Sequence, residues 1–200
     1  MSIRPPMKIT FLLSLFFAGV ASYAQSVIDK EAIAFVQWDL EQLPRHGIEP
    51  KHRRRQLFYK PYNWYSKADS IAKIPYIKEV VIQMITNPWG LGRNGRARLQ
   101  LDSLFNENDF IYLHKQLVSL DFSTVWLKDD FIVKVRNTIN NKFPNIYLYS
   151  IPLFSVNRKR VIVKREYYCG NVCAEGEILI YEKVDGTGWE LRYVLSRWIS

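Results

Sequence analysis

The chain has 200 residues, 48% hydrophobic and 24% charged, with a formal charge of +9, two cysteines and three histidines. This is the composition of a folded globular chain of one domain or a small pair, which excludes a sequence too polar to bury a core. It also excludes a zinc site built on sequence motifs, because the cysteines would need two further ligands and His46, His52 and His114 stand at no motif spacing.

Arg4 and Lys8 precede an apolar run from Ile9 to Val20, and Ser22-Tyr23-Ala24 places small residues at the −3 and −1 positions before Gln25. These features predict a secretory signal peptide over 1–24 and a single mature domain over 25–200. The apolar run is shorter than the roughly 20 residues a spanning helix needs. No second such run follows, and Gln25 stands where a lipoprotein carries cysteine, so no transmembrane anchor is expected. The mature chain is read as soluble, periplasmic or extracellular. Cleavage lowers the formal charge by two, to +7, which favours anionic envelope components or an acidic protein as partner; nucleic acid is not expected outside the cytoplasm.

In the stretch Ser26 to Leu43, Ile28, Ala32, Phe35, Val36 and Leu40 recur at helical spacing, and Pro44 stops the pattern. Arg45 to Lys67 then interleaves Lys51, Arg53, Arg54, Arg55 and Lys60 with Phe58, Tyr59, Tyr62, Trp64 and Tyr65. Charge beside stacking rings suits a single-stranded nucleic acid or an anionic glycan surface, the former rarely met by an exported chain, and a solvated basic turn leading into buried aromatics accounts for the same letters. Ala68 to Thr86 mixes helical and strand periods around Pro75. Gly90-Leu91-Gly92-Arg93-Asn94-Gly95 satisfies the dinucleotide fingerprint, yet Arg96 to Leu101 alternates like a strand and no βαβ pattern surrounds it, so a nucleotide cofactor is rejected.

Asn106 to Leu120 carries a capping residue, Glu107 and Asp109 in the first turn, and a stripe of Phe110, Leu113, Leu117 and Leu120, which predicts a helix with His114 beside the stripe. Phe131, Val133 and Val135 predict a strand after the Lys128-Asp129-Asp130 break. Asp129 and Asp130 are adjacent, so on extended backbone they point to opposite faces and cannot flank one bond as an acid/base pair.

Four strands are read from Ile146 onward: Ile146 to Phe154, Arg160 to Tyr168, Glu177 to Lys183 and Trp189 to Ile199. Short turns make them antiparallel. In the last, Trp189, Leu191, Tyr193 and Leu195 alternate with Glu190 and Arg192, which predicts one covered and one wet face. The fold expected is α+β, with helices of a mixed part (25–145) packed on one face of a four-stranded meander (146–200).

Cys169 and Cys173 lie in the predicted loop Cys169 to Gly176. An even count in an oxidising compartment favours a disulfide; free thiols, a redox pair and a cysteine nucleophile served by His114 are the competing readings. Ile151-Pro152-Leu153-Phe154-Ser155, Tyr167-Tyr168-Cys169-Gly170 with Cys173 and Gly176, Tyr181-Glu182-Lys183 and Trp189 together resemble a family of uncharacterised exported proteins of Gram-negative bacteria. The resemblance covers roughly the last fifty residues, and Ala174 stands where members often have glycine. It implies export and brings no activity.

The functional expectation is a non-enzymatic binding module without cofactor or metal. Its candidate contact residues are Tyr167, Tyr168, Glu175, Arg53, Arg54, Arg55 and Trp64, beside the Cys169–Cys173 disulfide. A small envelope hydrolase or thiol oxidoreductase using Cys169 or Cys173 is the alternative.

Overall fold

The computed structural model describes residues 28–43, 56–58, 60–61, 64, 77–86, 95–120, 124–139, 146–170, 173–185 and 188–199. The signal peptide read at 1–24, Arg53, Arg54 and Arg55, and the glycine run at 90–94 lie outside these residues.

Helix α1 spans Lys30–Gln42 and begins where the Asp29 carboxylate accepts the Glu31 N–H at 2.9 Å. Strand β1 (Gln56–Phe58) is followed by helices α2 (Ile77–Thr86), α3 (Gly95–Leu104) and α4 (Glu107–Ser119), a 3-10 turn at Lys128–Asp130, and β2 (Lys134–Arg136). The chain then forms β3 (Ile146–Tyr149), β4 (Leu153–Phe154), β5 (Arg160–Gly170), β6 (Cys173–Val184) and β7 (Gly188–Ile199). The class is α+β, with one seven-stranded mixed sheet ordered β2-β1-β3-β5-β6-β7 and β4 pairing β5. Among the described residues no helix is long and apolar enough to cross a membrane.

The sheet is wider than a meander. β1 lies parallel to both β2 and β3, and parallel neighbours need a crossover; helices α2–α4 lie in the one that joins β1 to β2. These helices therefore cover one face, where Val81, Ile85, Leu101, Leu113 and Leu117 share a buried cluster with Ile162, Ile178 and Ile180. Helix α1 covers the other, where Phe35, Val36 and Leu40 meet Leu57, Tyr149, Val163 and Leu179. The expected arrangement, all helices on one face and water on the other, is thus corrected: both faces are covered.

Three local readings also change. Arg96 to Leu101 belongs to helix α3: Ala97, Leu101 and Phe105 are buried at four-residue steps while Leu99 is 70% exposed, so the apparent alternation is a helical stripe crossed by one surface leucine. The strand expected over Ile146 to Phe154 breaks into β3 and β4 around Pro152, which has no N–H for a ladder. In β7 the register slips twice, leaving Arg192 and Leu195 as extra residues between paired neighbours. The odd-numbered set is therefore split. Trp189 meets Phe35 on the α1 face at 5.3 Å, whereas Tyr193 packs with Leu195 in the α2–α4 cluster.

Candidate functional site

The loop expected over Cys169 to Gly176 is mostly strand. β5 pairs with β6 up to Gly170 opposite Cys173, leaving 171–172 between them, and a register shift between Tyr168 and Gly170 sets Cys169 in a bulge. Only the backbone of the two cysteines belongs to the described structure. Tyr167, Tyr168 and Glu175 are half-buried at this hairpin end. The Tyr167 ring lies 4.8 Å from that of its cross-strand neighbour Tyr147 on the α1 face, and Tyr168, one residue on, takes the opposite face. Trp64 does not join them. It is 1% exposed within the α2–α4 cluster and donates its indole N–H to the Ile151 carbonyl at 2.8 Å, so it is a core residue and not part of a contact surface. His114 rides on α4, whose Gln116 touches Phe154 opposite Val161. From Val161 to Cys169 is eight residues, about 26 Å of strand, which keeps His114 far from that cysteine.

A second constellation is a charged ladder under α1. The buried Asp39 carboxylate accepts from the Tyr149 hydroxyl (2.6 Å), the Tyr181 hydroxyl (2.6 Å) and Arg165 (2.8 Å). Arg165 also donates to Glu177 at 2.8 Å, and Glu177 accepts from Arg197 Nε at 2.6 Å. Two carboxylates thus face two guanidinium groups. Burial and the neighbouring Asp39 charge push both phenols well above their ordinary value, so they stay protonated donors. Burial alone would raise the Glu177 carboxyl and lower Arg165, but their mutual pairing prevails and Glu177 is held below its ordinary value. Every strong donor is met by an acceptor, so the ladder pins α1 to the sheet and leaves no base poised for proton transfer. Its sequence signal was Asp39 itself, an acid at a stripe position between Val36 and Leu43.

The third is a cleft of about 270 Å³ where the two helical layers meet beside β4. Its wall comes from Ile28 and Ala32 on the α1 side, Tyr112 and Gln116 of α4, and Ile151 to Phe154. The Gln116 carboxamide accepts the Phe154 N–H (3.0 Å) and donates to the Phe154 carbonyl (2.7 Å), standing in for a strand partner. At the rim Arg158 donates to Asp29 at 2.6 Å and to the Tyr112 hydroxyl at 3.2 Å, with its guanidinium 4.9 Å above the Phe154 ring. Arg158 has φ of 58°, in the left-handed region that favours glycine. An arginine there costs about 1 kcal/mol that glycine would not, and these three contacts are what that conformation secures. The cleft was not foreseen, because its residues come from segments up to 130 positions apart in sequence.

Among the described residues no group of three His, Cys, Asp or Glu side chains could hold a metal ion. Comparison with family models, curated proteins and solved structures finds no match for the chain.

Proposed function

We propose that the protein is an exported, non-enzymatic binding module of a bacterial envelope, and that its contact surface is the end of the β5–β6 hairpin. One observation carries this reading: the half-exposed Tyr167, Tyr168 and Glu175 are held by ladder pairing almost to the turn, beside Ile199 of β7, which is 76% exposed and paired with Glu175. Rigid aromatic side chains on a preordered backbone bind with little loss of conformational entropy. The leader-like N-terminus and the resemblance to exported proteins support the location, and the +7 charge supports an anionic partner.

A Cys169–Cys173 disulfide fits the same reading. Cys169 stands in the bulge next to Gly170, which pairs with Cys173, so the two cysteines occupy neighbouring positions across the hairpin end. By loop closure the bridge would add about 2 kcal/mol, so its effect is to shape the hairpin end more than to hold the fold.

The test is cosedimentation of the purified protein with isolated envelope fractions. Binding is expected to fall about fivefold or more on Tyr168→Ala and on the Cys169→Ser/Cys173→Ser double substitution, and to weaken in about 0.5 M salt. Thiol titration accompanies it, with sulfhydryls expected only after reduction. Unchanged binding in both variants would overturn the assignment, and a reactive thiol in the native protein would turn the reading toward thiol chemistry.

A further inference from the structure

We propose that the cleft beside β4 binds a neutral polyhydroxylated ligand of the size of one sugar ring, held by Asp29, Arg158 and Tyr112 beside the half-buried Ile28 and Ile151. The inference goes beyond the reading above. The cleft lies at the Arg160 end of β5, ten residues and roughly 33 Å of strand from Gly170, and nothing in it depends on the hairpin.

Size and shape come first. At about 270 Å³ the cleft sits at the small end of ligand sites, which suits a compact molecule and not a lipid chain or a folded partner. Its lining mixes apolar side chains with Gln116, Ser119, Thr124 and a polar cluster in which Arg158 joins Asp29 and Tyr112.

The rim decides the chemistry. Arg158 and Asp29 already neutralise each other at 2.6 Å, and Glu31 adds a second carboxylate 3.3 Å from the same guanidinium. An anionic ligand would have to displace these carboxylates from Arg158, and a cationic one would have to draw Asp29 away from it. A hydroxyl does neither: it donates to a remaining lone pair of Asp29 while accepting from the Tyr112 O–H, whose oxygen takes the Arg158 hydrogen bond and whose proton is left to give. Vicinal hydroxyls spaced along a ring match acceptor and donor set side by side, and the C–H face of the ring packs against the half-buried Ile28 and Ile151, the Phe154 ring being covered by Arg158.

The side chains are also preorganised. Asp29 is fixed by its cap bond to Glu31, Tyr112 by the helix backbone and the Arg158 contact, and Arg158 by its left-handed backbone and the ring beneath it. Holding three polar groups in place before the ligand arrives is the condition under which weak hydroxyl contacts add up to measurable affinity.

The experiment is an NMR titration of the purified protein, following the amides of Ile28, Tyr112 and Arg158. The probes are glucose and N-acetylglucosamine as neutral ligands, with glucuronate and glucosamine as anionic and cationic controls. Saturable shifts at those three amides are expected with at least one neutral probe at concentrations up to the order of 50 mM, the range of a small polar ligand. These shifts should be unaltered by salt, because no net charge is exchanged. Tyr112→Phe, which removes one oxygen and keeps the ring, should weaken binding about threefold to tenfold. Arg158→Gly, which relaxes the left-handed position, should keep the fold and lose most of the affinity. Absence of saturable shifts with both neutral probes overturns the proposal, as does tighter binding of either charged control or an affinity unmoved in both variants.

Discussion

Asp39 shows how one polar residue can organise a hydrophobic layer. It is 2% exposed in the middle of the stripe that α1 presses on the sheet, and two phenols and one guanidinium converge on its carboxylate. Removing it would strand Arg165 with a single carboxylate partner and leave two buried hydroxyls without their acceptor. Asp39→Ala is therefore expected to cost about 3 to 5 kcal/mol in urea unfolding, and Tyr149→Phe, which leaves the ion pair in place, about 1 kcal/mol. Equal losses from the two substitutions would mean that the charge pairing contributes nothing beyond one hydrogen bond. At this scale the helical stripe of Ile28, Ala32, Phe35, Val36 and Leu40 gave Asp39 no role. A carboxylate's partners lie on strands more than a hundred positions away, and no local spacing encodes them.

Among the elements, α4 was the most legible. Asn106 and Asp109 form a reciprocal capping box at 3.0 and 3.1 Å, the arrangement their three-residue spacing allows. Asp109 has a further part that spacing alone did not reveal: its second oxygen accepts the Val156 N–H at 2.9 Å and so ties the helix start to the turn after β4. Asn106→Ala should cost about 1 kcal/mol. Asp109→Ala, which leaves two backbone N–H groups unsatisfied at a buried site, should cost about 2 kcal/mol or more by the same urea unfolding measurement. The strands were less legible. β5 to β7 were readable as extended runs, but β1 is three residues long and its neighbours Arg53 to Arg55 and Lys60 masked it as a basic turn. The face assignment of β7 failed because the bulge at Arg192 inverts the side chains after it and the second, at Leu195, returns Arg197 to the side of Glu177. The runs Val161-Ile162-Val163 and Ile178-Leu179-Ile180-Tyr181, all of them buried, fit a doubly covered sheet, but the alternation of β7 led to the expectation of one wet face.

For the whole molecule, the buried charges set how stability responds to pH. Lys164 is 1% exposed on the α2–α4 face, and burial holds its pKa down to about 8 against an ordinary 10.5, with the nearby Glu166 charge opposing the shift. The unfolded chain then binds more protons than the folded one between those values, so stability should rise with pH across that window, by at most about 3 kcal/mol. Above pH 10 the trend reverses: Tyr149 and Tyr181 are held above their ordinary value of 10.0, and the stability they contribute is lost as the unfolded chain begins to release its phenolic protons. In acid, Glu177 and Asp29 are held below 4.5 and 3.8, so their contribution is present above those values and is lost as pH falls through the folded ones. Urea midpoints measured from pH 3 to 11 should therefore climb between 8 and 10 and fall at both ends. A flat profile from 8 to 10 would show that Lys164 keeps its ordinary affinity for the proton.

The sequence by itself determined the α+β class, the existence of α1 and of α4 with its N-terminal cap, and the extended character of the last fifty residues. Each of these rests on a period or a cap that is complete within one stretch of chain. Tertiary structure alone decided that helices cover both faces, that three short strands run parallel, and that Trp64 is core. It also placed Asp29, Tyr112 and Arg158 at one rim and narrowed the cysteine loop to a tight hairpin end. These features depend on which distant segments pair, and pairing is a property of the folded chain's whole set of contacts that no single stretch of residues carries.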